Sequence, residues 1–183
     1  MKFIKFFFII LCINNLSFAA QSFQKNILNN LFYQLEKIDN SKGAVLLEKK
    51  IWSIWNEHPT NNGLTEKLKF GTELMQYGDY NYALKVFDNI IVTDPEWSEA
   101  WNKRATVYFL MSQFTNSLDD IDKVLNLEPR HFGALSGQAR IFIKLKKYEK
   151  AIKSIERALK FYPSFKSSEM IPEIERLIKE TTI

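Results

Sequence analysis

The 183-residue chain is poor in cysteine, glycine and proline, with one, six and five of them respectively. A single cysteine cannot form a disulfide framework or a cysteine-based zinc site within the chain. The shortage of glycine and proline leaves few tight turns, which disfavours a β-sandwich or barrel and favours helices. No apolar run approaches the ~20 residues that a membrane-spanning helix needs. With 46% hydrophobic and 25% charged residues, the composition is that of a globular protein.

The N-terminus has the three parts of a secretory signal peptide. Lys2 and Lys5 form a basic start, residues 6–13 are apolar, and the small-x-small sequence Ser-Phe-Ala follows at 17–19. We therefore predict that residues 1–19 are a signal peptide cleaved after Ala19. Cleavage one residue later and an uncleaved anchor are the alternatives. The mature chain would contain no cysteine, because Cys12 lies in the removed segment, and its formal charge would fall from +4 to +2.

An internal repeat organises most of the remaining chain. Pro95, Pro129 and Pro163 are 34 residues apart, and they define three windows, 64–97, 98–131 and 132–165. Small residues recur at positions 8 and 20 of the windows, where they let two antiparallel helices approach closely. Large apolar residues recur at positions 11, 17 and 24, and proline at position 32 ends the second helix. These columns predict an all-α fold in which antiparallel helix pairs stack into a solenoid.

Both ends of the chain also have helical patterns. Residues 20–63 contain two amphipathic segments, about 22–40 and 41–57, which we interpret as a divergent N-terminal helix pair. Their predicted apolar faces are Ile27, Leu28, Leu31, Leu35 and Ile38, and Val45, Leu46, Ile51, Ile54 and Trp55. Residues 166–183 include an amphipathic stretch, about 167–181, which predicts a C-terminal helix that caps the stack.

The 34-residue columns resemble those of the tetratricopeptide repeat (TPR) family, over residues 64–165. Trp101 fills the family's tryptophan position only in the middle window, and Phe70, Arg104 and Gln138 stand where leucine is usual. The resemblance implies a TPR-type α-solenoid whose concave groove binds a protein or peptide.

Positions 2, 5, 9 and 12 of each first helix share one helical face and are predicted to line that groove. Leu68 and Glu99 are among them. The candidate partner-binding residues, with the neighbouring lysines at position 6, are Lys69, Thr72, Met75, Asn102, Lys103, Thr106, Phe109, Ser136 and Arg140. This mixed polar, weakly cationic surface suits an extended peptide or a partner helix. The alternative is that these positions are only solvated or are covered by the C-terminal helix.

Three segments, IWSIW at 51–55, AWNKRAT at 100–106 and EPRHFGALSG at 128–137, resemble exported TPR proteins found largely in alphaproteobacteria. The resemblance brings no assigned activity. It draws attention to four residues near the repeat boundaries, which either cluster for function or pack the junctions: Arg104, Arg130, His131 and Phe132. We expect Trp52 and Trp55 to pack against the next repeat, with an exposed docking patch as the alternative.

No catalytic signature is present: there is no G-x-S-x-G, H-E-x-x-H or phosphate-binding glycine loop. We expect each histidine to stabilise a helix C-terminus or to lie at the surface rather than to act in catalysis, and Asp119, Asp120 and Asp122 to form a solvated face. We therefore expect no enzyme activity, cofactor or metal. Nucleic acid is not an expected partner, since the positive charge is taken to be spread along the chain. Oligomeric state is not predicted.

The sequence thus favours a non-enzymatic adaptor or scaffold in the periplasm of a Gram-negative bacterium, which binds a protein or peptide in its groove. One alternative is a structural component of an envelope assembly complex related to outer-membrane proteins or peptidoglycan. A hydrolase centred on His131 is a third hypothesis, which the missing catalytic site disfavours.

Overall fold

The computed structural model describes the backbone of residues 2–38 and 40–181 and the side chains of residues 19–38 and 40–180. Over that range the chain forms nine α-helices and one 3₁₀ helix, with no strand, which confirms the predicted all-α fold. The α-helices are α1 (Lys2–Lys37), α2 (Ser41–Asn56), α3 (Asn62–Gln76), α4 (Tyr80–Thr93), α5 (Ser98–Leu110), α6 (Phe114–Leu127), α7 (Phe132–Lys144), α8 (Tyr148–Leu159) and α9 (Ile171–Thr181). The 3₁₀ helix is Lys166–Met170.

Three antiparallel pairs, α3–α4, α5–α6 and α7–α8, pack through the small residues that the sequence repeats. The residues at positions 8 and 20 are all buried: Gly71, Ala105 and Ala139, and Ala83, Ser117 and Ala151. A Cβ at Gly71 would lie 2.7 Å from Cε1 of Phe87, so only glycine fits beside that ring. Ser117 is accommodated because its Oγ donates to the carbonyl oxygen of Ala105 at 2.7 Å.

The turn within each pair has one residue in the left-handed region. Gly78 has φ +84°, Ser112 has +59° and Lys146 has +55°, and the three residues are again 34 apart. Only glycine adopts this conformation without steric cost, so the first turn alone has the residue that its backbone favours.

The C-terminal segment packs on the last pair as a cap. Its α-helix begins at Ile171 rather than near residue 167, with the preceding turn in 3₁₀ form. Pro172 explains the boundary, because proline lacks an N–H and is tolerated in the first turn of a helix. Ile174 is 2% exposed and packs in one cluster with Ala139, Ala151 and Ile155.

We call α1 and α2 the N-terminal hairpin. Asn40 caps α2, since its Oδ1 accepts a hydrogen bond from the N–H of Gly43 at 2.7 Å. The buried face of the hairpin is Leu28, Leu31, Phe32, Leu35, Ala44, Leu47, Ile51 and Trp55. The expectation that Ile27, Val45 and Leu46 belong to this face is wrong, because they are 37%, 38% and 61% exposed.

The N-terminal hairpin lies across the boundaries between helix pairs, close to the three repeating prolines. One hydrogen bond reaches each boundary. They are Trp97 Nε1 to the carbonyl oxygen of Trp55 (3.0 Å), Arg130 Nη1 to Asn29 Oδ1 (2.9 Å) and Tyr162 Oη to Glu48 Oε2 (2.9 Å). The hairpin therefore ties together repeats that in a simple solenoid contact only their immediate neighbours.

Helix α1 passes through the predicted cleavage position. The signal-peptide side chains, including Lys2, Lys5 and Cys12, lie outside the described residues, so the signal peptide and its cleavage stay predictions. None of the helices in the searched part of the chain is long and apolar enough to cross a membrane.

Candidate functional site

A cavity of about 360 Å³, here called the central cavity, lies along the inner faces of α3, α5 and α7. It contains seven of the nine predicted groove residues: Met75, Asn102, Lys103, Thr106, Phe109, Ser136 and Arg140. Met75 and Phe109 provide apolar surface, and Thr106 and Ser136 provide hydroxyl groups. The structure thus brings these seven residues together on one surface, as their helical positions require.

The other two predicted groove residues, Lys69 and Thr72, line a separate space of about 400 Å³, here called the α3 cavity. Its remaining walls come from α3 and from the end of α2, with the side chains of Asn56 and Glu57. Because Thr72 and Met75 are three residues apart on α3, the two cavities follow one another along the same helix.

The sequence did not predict three walls of the central cavity. Glu48 and Trp52 come from α2, and Phe165 comes from the segment after α8. Trp52 enters beside Gly133, where a Cβ would lie 2.8 Å from Cζ2 of the indole and nearer still to Cη2. The tryptophan-rich segment 51–55 was the only sequence signal, and it carries no information on where the hairpin docks.

The positive charge available to a ligand comes from one side chain in each cavity, Lys69 in the α3 cavity and Arg140 in the central cavity. Lys69 and Arg140 are exposed, and neither side chain makes a hydrogen bond or ion pair with any residue that the structure describes. Lys103 differs, because its Nζ lies 3.1 Å from Oε1 of the buried Glu99. A negatively charged ligand group would therefore meet Arg140 without having to break an existing ion pair. At Lys69 it would also meet the carboxylates of Glu57 and Glu73, which line the same α3 cavity.

Beneath the central cavity lies a buried polar group, here called the junction cluster, of Glu99, Asn102, Lys103 and His131. Glu99 and His131 are completely buried, and His131 Nε2 lies 3.0 Å from Glu99 Oε2. His131 Nδ1 accepts the N–H of Ala134 at 3.1 Å and so caps α7. Since Nδ1 is an acceptor, Nε2 carries the proton and donates to Glu99.

Burial alone would raise the pKa of Glu99. Lys103 and the hydrogen bond from His131 outweigh burial, so the pKa of this carboxyl is lowered below its ordinary value. Asn102 adds a donor, with Nδ2 3.2 Å from both carboxylate oxygens. Glu99 is therefore a buried carboxylate that stays ionised because each oxygen has donors.

Two tryptophans of the N-terminal hairpin cover this cluster. Trp55 stacks on His131 with ring centroids 4.0 Å apart and planes 8° apart, and Trp52 meets the same ring edge-on at 5.5 Å. Both also contact Phe132. The three resemblance segments thus meet at one place. The expectation of packing against the next repeat is wrong for the two rings, which contact the start of α7, although Trp97 of that repeat donates to the carbonyl oxygen of Trp55.

Of the two roles expected for the histidines, the surface position is wrong for both. His131 is completely buried under Trp55. The His58 side chain is 5% exposed, its Nε2 lies 2.7 Å from Asp94 Oδ2, and its Nδ1 accepts the N–H groups of Thr60 and Asn61. His58 therefore links its loop to Asp94 at the next repeat boundary, and His131 links its loop to Glu99 at the preceding one. Neither is open to a substrate.

Arg104 and Arg130 also make intramolecular contacts. Arg104 forms a two-bonded pair with Asp120, at 2.8 and 2.7 Å, and reaches Asp88 at 2.7 Å, so it joins α4, α5 and α6. Asp120 is 4% exposed, so the expected solvated face does not include it. Arg130 pairs with Glu128 and lies 4.4 Å from the ring centroid of Phe32. These contacts favour packing over ligand binding for both arginines.

Two predicted groove positions do not face the groove freely. Glu99 has no exposed surface, and Leu68, although it borders the α3 cavity, is 2% exposed because it packs in the core of the first pair. Asn102 borders the central cavity yet is only 8% exposed. The periodicity identifies this helical face, but the N-terminal hairpin covers part of it.

The positive charge is not spread along the chain, contrary to the sequence interpretation. Residues 144–160 contain seven basic and two acidic side chains, a formal charge of +5, whereas the complete chain carries +4. No group of three or more His, Cys, Asp or Glu side chains within the described part of the chain is placed to hold a metal ion.

The stacked helix pairs and their inner cavities define a repeat protein of the helical solenoid class. Residues 76–158 match the family model described as anaphase-promoting complex, cyclosome, subunit 3. A TPR repeat-containing protein of Rhizobium etli is 35% identical over 157 residues, which are 82% of this chain and 73% of that protein. The chain therefore belongs to the TPR repeat-containing proteins.

Other similarities are more distant. The Hsp70-Hsp90 organizing protein of Triticum aestivum is 24% identical over 115 residues, 63% of this chain and 19% of that protein. The first TPR of Spaghetti (RPAP3), solved with the HSP90 peptide SRMEEVD, has a TM-score of 0.61 at 22% identity and covers 64% of this chain and 94% of its own. The TPR2B domain of yeast Sti1, a complex with pHsp70, has a TM-score of 0.56 at 20% identity, with 67% and 98% covered. At these identities the solved structures establish the fold, and they confirm the TPR-type solenoid.

Proposed function

We propose that this protein is a non-enzymatic adaptor that binds an extended protein segment along the central and α3 cavities. The observation that carries the proposal is the alignment of predicted groove residues along two successive cavities, with exposed, unpaired cations at Lys69 and Arg140. Met75 and Phe109 provide apolar surface in the central cavity, and both lie between Lys69 and Arg140 in the sequence. Such a mixture suits a peptide whose side chains alternate between apolar and polar or acidic.

Two further observations support the proposal. TPR domains of the same fold have been solved with HSP90 or HSP70 peptides bound. The one His–carboxylate pair near the groove, His131 with Glu99, is sealed under Trp55 and engaged in capping α7, which disfavours a hydrolytic role.

Site-specific photocrosslinking in living cells tests the groove. A benzophenone amino acid is placed at Thr106 or Arg140, and in control variants at Lys85 or Lys123, which are exposed on the second helices α4 and α6. We expect the same protein adduct from both groove positions and not from the controls. Adducts from the control positions alone, or none from the groove, would contradict the proposal.

The captured partner is then measured with purified proteins. Arg140→Glu reverses an exposed, unpaired charge, so it leaves the fold intact. We expect it to weaken binding about tenfold or more, since it replaces attraction by repulsion in a partly enclosed site. The matched control is Arg157→Glu on α8, which lines neither cavity. Equal loss in both variants would show that net charge, not the groove, governs binding.

We further propose that the protein acts after export, in the periplasm of a Gram-negative cell. The basic, apolar and small-x-small segments at the N-terminus support this location. Expression in such a cell followed by intact-mass measurement tests it: the recovered chain should begin at residue 20 and be found in the periplasmic fraction. Recovery of the full 183 residues from the cytoplasm would refute export.

A fixed part of an envelope assembly is the second candidate function. Exposed aromatic side chains on α3, α4 and the turn between them favour it: Phe70, Tyr77 and Tyr82 are 48%, 89% and 50% exposed. A Tyr77→Ser/Tyr82→Ser variant should then lose co-purification with a stable complex, whereas Arg140→Glu should keep it. The adaptor hypothesis predicts the reverse.

A further inference from the structure

The outer face of α8 is a continuous row of positive charge. Lys150, Lys153, Arg157 and Lys160 are all exposed, and their 3–4–3 spacing places them on one side of the helix, over about 15 Å. Lys144, Lys146 and Lys147, also exposed, continue the row around the α7–α8 turn. We call these seven side chains the basic face.

The basic face is not neutralised by the protein itself. None of its seven side chains forms an ion pair with a residue inside the described ranges, although Lys150 lies 5.9 Å from the ring centroid of Phe142. Glu149 and Glu156 are exposed too, and they lie one helical turn from Lys153 and Lys160 along one edge of the helix. They offset only part of the positive charge, since residues 144–160 keep a formal charge of +5. An anionic surface would relieve the repulsion that remains.

We propose that the basic face docks on a membrane surface rich in anionic phospholipid. Six of the seven cations are lysines, whose compact charges suit a diffuse anionic layer rather than paired recognition of single phosphates. Leu145, 37% exposed, lies between Lys144 and Lys146 at the turn and can enter the headgroup region. Between residues 144 and 160 the one aromatic ring, Tyr148, is buried, so nucleic-acid bases would find no stacking platform.

This docking leaves the proposed groove free. No residue of α8 lines the central cavity or the α3 cavity. The protein would then hold a bound segment beside the membrane. Because the basic face and the groove share no residue, membrane binding and segment binding can be lost separately.

Vesicle co-sedimentation with the full chain tests the proposal. Vesicles of phosphatidylcholine alone are compared with vesicles that contain equal parts of phosphatidylglycerol. The test variant is Lys150→Gln/Lys153→Gln/Lys160→Gln, and the matched control, with the same loss of charge on other helices, is Lys49→Gln/Lys50→Gln/Lys85→Gln. All six lysines are exposed. The apolar residues 6–13 are common to every variant, so the difference between variants reports the basic face alone.

We expect the wild-type chain to bind the anionic vesicles, and the test variant to bind them about tenfold or more weakly. The control variant should change less than about twofold, and 0.5 M NaCl should abolish the difference. Three outcomes would overturn the proposal: equal loss in both variants, no preference for phosphatidylglycerol, or tighter binding of a single-stranded DNA 20-mer that depends on the same three lysines. The last would replace the membrane by nucleic acid.

Discussion

Glu99 is an ionised side chain with no exposed surface, held by Lys103, Asn102 and His131. Taking a carboxylate out of water is unfavourable unless its oxygens are fully paired, and here they are. The same His131 caps α7 and supports the stacked ring of Trp55. The Glu99–His131 pair therefore connects α5, α7 and the N-terminal hairpin. Its loss would destabilise the packing of all three elements.

This arrangement predicts a specific dependence of stability on pH. The pKa of Glu99 in the folded protein lies below its ordinary value of 4.5, so its contribution is complete above that pH. The contribution is lost as the pH falls through the folded-state pKa. Glu99→Gln should lower the free energy of unfolding by about 2–3 kcal/mol at pH 7, and the difference from wild type should shrink between pH 5 and 3.

Urea unfolding at pH 7, 5, 4 and 3 provides the measurement. The matched control is Glu66→Gln, which changes an exposed carboxylate on α3. It should change the free energy of unfolding by less than about 0.5 kcal/mol at each pH. A Glu99→Gln curve parallel to that of wild type would mean that the carboxylate is not what Lys103 and His131 stabilise.

At this scale the sequence predicted the repeating core and missed the buried charges. Gly71, Ala83 and Phe87 follow from columns whose spacing fixes which face is buried. Glu99 and His131 were expected at the groove or the surface because charged and polar residues are mostly exposed. Their burial depends on Trp55, which is distant in sequence, so no local pattern could indicate it.

The helix pairs repeat their turn conformation even where the sequence does not. Gly78, Ser112 and Lys146 occupy the same left-handed position, and only the first is glycine. Ser112→Gly should therefore raise the free energy of unfolding by about 0.5–1 kcal/mol, because it removes the steric cost of a positive φ. Thermal and urea unfolding measure the gain. Gly78→Ala should lose about 1 kcal/mol, and equal signs for the two variants would contradict this account.

Two glycines of α7 allow a matched test of how the hairpin docks on this helix. Gly133→Ala should destabilise by about 1–3 kcal/mol, because the new Cβ meets Trp52. At Gly137 the new Cβ would lie 3.6 Å from Ile121 Cδ1, an ordinary contact, so Gly137→Ala should stabilise the helix by about 0.5–1 kcal/mol.

A double-mutant cycle by urea unfolding separates packing from helix propensity. If Trp52 causes the loss, Gly133→Ala should cost little in a Trp52→Ala background. The cost of Gly133→Ala persisting unchanged without the indole would refute the contact. The sequence predicted helix α7 itself, but it could not predict that the absence of a side chain at 133 admits a residue of α2.

For the whole molecule, the N-terminal hairpin changes how cooperative the solenoid is. A simple array is stabilised repeat by repeat, each unit contacting its neighbours only. Here hydrogen bonds from Trp97, Arg130 and Tyr162 connect all three boundaries to one hairpin. Periodicity could predict the stack because it is built from the repeated columns. It could not predict the hairpin's position, which rests on side chains that occur once.

Removing the hairpin should therefore weaken distant repeats together. In a 58–183 chain, we expect hydrogen exchange to speed up at the backbone N–H groups of Trp97, Ala134 and Tyr162 alike, since each lies at a boundary that the hairpin contacts. Exposure of Phe132 and Tyr162 should also increase binding of the dye ANS.

The comparison is a 1–170 chain, which lacks only α9. That deletion uncovers Ala139 and Ala151, so faster exchange should stay within α7 and α8. If the 58–183 chain instead loses protection only next to its new end, the hairpin is one more stacked unit and does not tie the boundaries together.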